Sequence, residues 1–228
     1  MTPNPAGAHT PLPRPLVWLT GIIAAIEIVL SLADAGSIAD PSLRARAYAV
    51  GAFFSDLFYG GRPVFAGQTW TMFVTHAFLH GGLLHMVMNM TILLALGRMF
   101  GDRYGANAIL PIFLAGAVAG GAVFALLSDS PIPMVGASGA VFAFLGVWVA
   151  WDWKRHREAG ISVQPVAMRV LGLAVLNVIF YFALGGLLAW EAHLGGFLAG
   201  LALGAHYEGR VAAAARHARA EVRRRTGR

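Results

Sequence analysis

A serine hydroxyl becomes a useful nucleophile when a base can take its proton, and this sequence places one such pair in similar surroundings. Ser138 sits in Gly136-Ala137-Ser138-Gly139 and His193 in Ala192-His193-Leu194-Gly195-Gly196, each where an apolar stretch begins. Ser138 would attack a carbonyl carbon, and His193 would take the hydroxyl proton and later return one to the leaving amine. The oxyanion so formed needs donors. His85 and Asn89, four apart and so on one helical face, and the Ser138 backbone N–H at a helix start are the ones on offer. Gly136 and Gly139 let backbone and substrate come close to the nucleophile, while Pro131 and Pro133 stiffen the loop that enters it. No carboxylate is expected at the depth of His193, since Glu191 reads as a membrane-surface residue, so the chemistry points to a two-residue dyad.

The elements that must position these groups are membrane helices. Of 228 residues 57% are apolar and 12% charged, too greasy for a soluble domain and too short for two membrane modules. Apolar stretches at 16–34, 79–97, 108–127, 137–153, 168–188 and 192–207 are each close to the roughly 20 residues that cross a hydrocarbon core. The expectation is an all-α, polytopic bundle of six transmembrane helices over 16–207, with a short arm at 1–15 and a basic tail at 208–228.

Charge sets the orientation. With the N-terminus inside, fourteen of the seventeen Lys and Arg residues fall on the cytoplasmic side, leaving Arg44, Arg46 and Arg62 outside. Both termini are then cytoplasmic. Helices two, four and six run from outside to inside, which brings Ser138, His193, His85 and Asn89 to one outer-leaflet depth. A bacterial inner membrane fits the compact chain. The segment 35–75, with its spaced aromatic rings, reads as short helices in the outer interface. Phe180, Tyr181 and Phe182 of helix five, together with this segment, are the expected movable wall for a substrate entering from lipid. The basic tail suits a surface of anionic lipids, not nucleic acid. Lack of cysteine excludes disulfides and thiolate chemistry.

Other readings of these residues stay open at this point. His76, His80 and His85 could hold a metal, but no carboxylate accompanies them and Asn89 stands where a fourth strong ligand would be wanted. Gly196-x-x-x-Gly200 permits close helix approach and is common in membrane helices. A transporter or channel with a polar cavity is a third possibility. It is weakened by the lack of an internal repeat.

Three runs, in order, resemble the rhomboid family of intramembrane serine proteases: His76-Ala-Phe-Leu-His80-Gly-Gly-Leu-Leu-His85-Met-Val-Met-Asn89, Gly136-Ala-Ser138-Gly139, and Ala192-His193-Leu-Gly-Gly196-Phe-Leu-Ala-Gly200. The resemblance implies a six-helix core with Ser138 and His193 in a water-filled cavity, His85 and Asn89 near the oxyanion, and His80, Gly196 and Gly200 in support. It implies cleavage of transmembrane protein substrates within lipid, without cofactor or metal; a catalytically inactive relative that binds membrane clients is the alternative. Oligomeric state is not implied. The sequence departs from the family pattern in having Phe142 where a tyrosine is common and Trp70-Thr71 where Trp-Arg is common, while Asp102 alone stands for an acidic residue after helix two.

Overall fold

The computed structural model describes residues 11–38 and 40–226; residues 1–10, most of the expected arm, lie outside it. The chain is all-α, an integral polytopic membrane protein. In order come α1 (Arg14–Asp34), α2 (Leu43–Gly51), α3 (Ser55–Phe58), α4 (Gln68–Thr75), α5 (Leu83–Tyr104), α6 (Ile109–Leu127), α7 (Ser138–Glu158), α8 (Gln164–Ala183) and α9 (Trp190–Thr226). Segment 35–75 thus forms three short helices between two long ones.

Four of the long helices, Arg14–Asp34, Leu83–Tyr104, Ala106–Leu127 and Gln164–Ala183, are long and apolar enough to cross a membrane. Six were expected. The two that fall short by composition are α7 and α9, for different reasons. In α7 the apolar run is cut by the charged residues between Asp152 and Glu158, and in α9 Glu191, His193, His206 and several glycines dilute it. These same two helices form the most extensive helix pair of the molecule, with α6 against them.

That pairing is made backbone to backbone. A Cβ on Gly196 would run into Gly139 O, one on Gly200 into Ala143 O, and one on Gly146 into Phe197 O. Small residues at every crossing point let the chains approach until only main chain separates them, and close packing is what holds helices together in lipid. Gly196→Ala should therefore cost about 2–3 kcal/mol of stability. Gly209→Ala, on the same helix but with nothing within 4 Å, should gain up to about 1 kcal/mol from helix propensity. Thermal unfolding of the purified protein checks this pair, and equal shifts would mean that α9 does not seat on α7 through its glycines.

Polar ties fix the two ends. Away from Ser138, buried Glu208 of α9 accepts from Arg103 Nε (2.8 Å), Tyr104 Oη (2.6 Å) and Lys154 Nζ (3.2 Å), joining α5, α7 and α9. At the other end, fully buried Glu27 of α1 takes two hydrogen bonds from Arg44 of α2, at 2.9 and 3.1 Å. Helix α8 is different. Val166 is its one buried residue, and it touches α7 only sparsely, with Arg169 ion-paired to Asp152 of α7.

Candidate active site

The site is assembled around the loop that enters α7. Met134 pairs with Phe53 through two backbone hydrogen bonds of 2.9 Å, Gly136 N–H donates to His76 O at 3.0 Å, and Ala137 N–H donates to His80 Nε2 at 3.3 Å. Three successive anchors leave the chain no freedom just before Ser138. Gly136 itself holds φ 128°, a backbone conformation that side chains resist, and a Cβ there would lie 2.8 Å from His85 Cε1 and 3.0 Å from His85 Nε2. Only glycine lets the edge of the His85 ring rest against this turn. Ala137 caps the helix and Ser138 is its first residue, half-buried, so its N–H belongs to the first turn that lacks an intrahelical acceptor.

His85 is oriented by its own N-terminal loop. Its Nδ1 accepts from Gly81 N–H at 3.3 Å, so the ring proton belongs on Nε2, the nitrogen beside Gly136. Asn89, buried one turn along α5, donates Nδ2 to His85 O at 3.0 Å, which leaves its second amide proton and its carbonyl oxygen uncommitted to the helix. His80 packs edge-on to His85 with centroids 5.1 Å apart.

His76 and His80 do not lie on the surface. Both are buried, and both leave Nδ1 without a partner. His76 Nε2 donates to Ala117 O of α6 at 3.3 Å, and burial pushes this ring down to about 4, so it is neutral. The two rings tie the loop to α6 and α7. Among the described residues no group of three His, Asp or Glu side chains could hold a metal.

Across the α7–α9 seam stands His193, in the first turn of α9 and buried. A Cβ on Gly139 would be 3.3 Å from Ala192 O, so the residue after Ser138 lies against the residue before His193. Phe142, one turn along α7 from Ser138, stacks on the imidazole with centroids 4.2 Å apart and planes 7° from parallel. The hydroxyl that a tyrosine would bring is not needed for this contact. The hydrogen bond that His193 makes in this structure is not to Ser138 but to Asn177 Oδ1 of α8, at 2.5 Å from Nδ1. Glu191, expected at the membrane surface, is buried.

Ser138, His193, His85, Gly136, Gly139, Phe142 and His80 thus lie around the start of α7, with Asn89 one turn along α5 from His85 and Gly196 and Gly200 along the seam. Asn177 is one residue that sequence reasoning missed. Its signal was present, as a lone amide in the apolar run Leu173 to Phe182, where a polar group normally has a purpose. Arg44 and Tyr48 were missed as well: both donate to His80 O, at 2.7 Å each.

A cavity of about 470 Å³ opens beside His193 between α7, α8 and α9, lined by Phe142, Leu173, Tyr181, Phe182 and Phe197 together with Asn177 and His193.

The Rhomboid domain profile matches residues 66–209, most of this chain. The chain is 32% identical over 152 residues to Rhomboid-like protease 3 of Toxoplasma gondii, covering 64% of this chain and 54% of that one. It is 32% identical over 144 residues to Rhomboid protease GluP of Bacillus subtilis (60% and 27%) and 33% identical over 135 residues to Rhomboid protease GlpG of Yersinia pestis (59% and 46%). The match spans about half the length of these relatives or less.

Proposed function

The chain belongs to the rhomboid family, and from that premise we propose that it is an intramembrane serine endopeptidase that cleaves transmembrane protein substrates through Ser138 and His193. The observation that supports this best is the seam at Gly139 and Ala192, which sets the first turns of α7 and α9 side by side. In this reading His193 takes the Ser138 proton as the hydroxyl oxygen bonds to the substrate carbonyl carbon. The oxyanion is met by the Ser138 N–H, the protonated Nε2 of His85 and the Asn89 amide. Collapse of the tetrahedral intermediate breaks the C–N bond, and His193 delivers its proton to the departing amine. Water then repeats the sequence on the acyl-enzyme.

All six long helices cross the membrane in this proposal. The charged end of α7 and the polar residues and glycines of α9 make both less apolar than the other long helices, and both pack chiefly against protein. The termini face the cytoplasm of a bacterial inner membrane and the site faces outward, as the charge distribution favours. Substrate must unwind to expose a carbonyl, because a hydrogen-bonded helix hides its backbone.

The purified protein in liposomes should cut a single-span substrate and should be labelled covalently by a fluorophosphonate, with the adduct mapped to Ser138 by mass spectrometry. No cutting and no adduct would leave the inactive, client-binding alternative. Activity should persist in a chelator, since both reacting groups are side chains. Asn89→Ala should lower kcat by about 10²-fold, the usual loss for one of several oxyanion donors, with a smaller change in KM. Wild-type kcat in that variant on a good substrate would place Asn89 outside the hole.

A further inference from the structure

Asn177 lies on α8, the long helix with the least buried surface, yet its amide is held at both ends. Nδ2 donates to Leu173 O one turn back at 2.9 Å, and Oδ1 lies 2.5 Å from His193 Nδ1. The first bond settles the second. An amide turned the other way would set its oxygen against the Leu173 carbonyl, so the group facing the imidazole is the oxygen, which can only accept. The proton between them therefore sits on Nδ1. A neutral imidazole protonated there carries its lone pair on Nε2, the form a base must have.

Stacking alone does not achieve this. Phe142 fixes the plane of the His193 ring, but a half-turn about Cβ–Cγ keeps that plane while exchanging the Nδ1 and Cδ2 edges. Only a directional partner tells the two orientations apart.

Building on the protease reading above, we infer that Asn177 is a positioning residue for His193: it selects one ring orientation and one tautomer, and it makes the base dependent on where α8 stands. After proton transfer the Nδ1–H stays on Oδ1, so the imidazolium keeps an acceptor through the step. Because α8 is otherwise tied to α7 mainly through Arg169 and Asp152, an outward movement of its Asn177 turn would release the ring.

The test uses the full chain in liposomes, with three readouts: kcat and KM on a single-span substrate, the rate of Ser138 labelling by a small fluorophosphonate, and the nitrogen NMR spectrum of ¹⁵N-histidine protein. Asn177→Leu, similar in size but with no acceptor, should lower both kcat and the labelling rate by about 10²-fold with KM changed by less than about 3-fold. Asn177→Asp, which keeps the acceptor, should recover most of the labelling rate. In the wild type the His193 signal, assigned by its loss in His193→Gln, should show a neutral ring protonated at Nδ1. Equal rates in wild type and Asn177→Leu, equal impairment of the Leu and Asp variants, or a wild-type ring protonated at Nε2 would each overturn the inference. The spectrum answers even where a variant does not fold. A wild-type protein that neither cuts nor labels would instead defeat the protease reading itself.

Discussion

Ser138→Ala should reduce cleavage of a single-span substrate by at least about 10⁴-fold, because the variant retains binding and the oxyanion donors but has nothing to form the acyl-enzyme. Ser138 is half-buried and its hydroxyl is small, so the melting temperature of the variant should stay within a degree or two of the wild type. His193→Ala should lose as much activity but is the less clean experiment. It also gives up the ring stack on Phe142 and the bond to Asn177, about 2 kcal/mol of stability together. The two substitutions combined should do no worse than either alone, since both disable one step. Residual cutting by Ser138→Ala at the wild-type rate, measured on protein free of the host's own proteases, would remove Ser138 from the mechanism.

Arg44→Ala carries the second large effect, and it acts on stability. Arg44 donates to both oxygens of Glu27, to Asp34 Oδ2 at 2.6 Å and to His80 O, and Glu27 is wholly buried. The bond to Glu27 also holds the guanidinium above its ordinary value, so Arg44 stays charged at any working pH. Removing one partner of a buried ion pair strands the other, which costs about 3–5 kcal/mol. In this protein the loss should reach the site, since Arg44 and Tyr48 together hold the carbonyl of His80, whose ring accepts from Ala137. Replacing both members, Arg44→Leu with Glu27→Leu, should recover most of the stability, because no stranded carboxyl remains. Thermal unfolding of the two variants checks this; a single variant that melts with the wild type would show that Glu27 finds another partner at no cost.

What could be read in advance follows from how far apart the interacting residues lie in the chain. His85 and Asn89 share a face because they are four apart, and Gly196 and Gly200 form a seam for the same reason. Short spacings of that kind are visible in any helical sequence. Ser138 and His193 were paired by depth, an argument that needs only helix direction and charge bias. The Asn177 bond spans 16 residues, two helices and a turn, and the Arg44 bond to His80 spans 36. Such pairings depend on helix rotation and tilt, which periodicity does not determine. Four helices, not the six expected, are apolar enough to span by composition, for a related reason. Hydropathy measures what a helix would expose, whereas α7 and α9 are packed chiefly against protein.

The looseness of α8 makes bilayer thickness a control on this molecule. At 20 residues the helix is about 30 Å long, the depth of a typical hydrocarbon core, with no turn to spare. In a thicker or thinner bilayer something must tilt or shift to keep apolar side chains in lipid. The helices locked by glycine seams and by the Glu208 cluster cannot do so cheaply, and α8 can. On the protease reading, lipid chain length would thus be felt at the cavity beside α8 and at the hydrogen bond of Asn177 before it reached Ser138, and cleavage would run at different speeds in membranes of different depth.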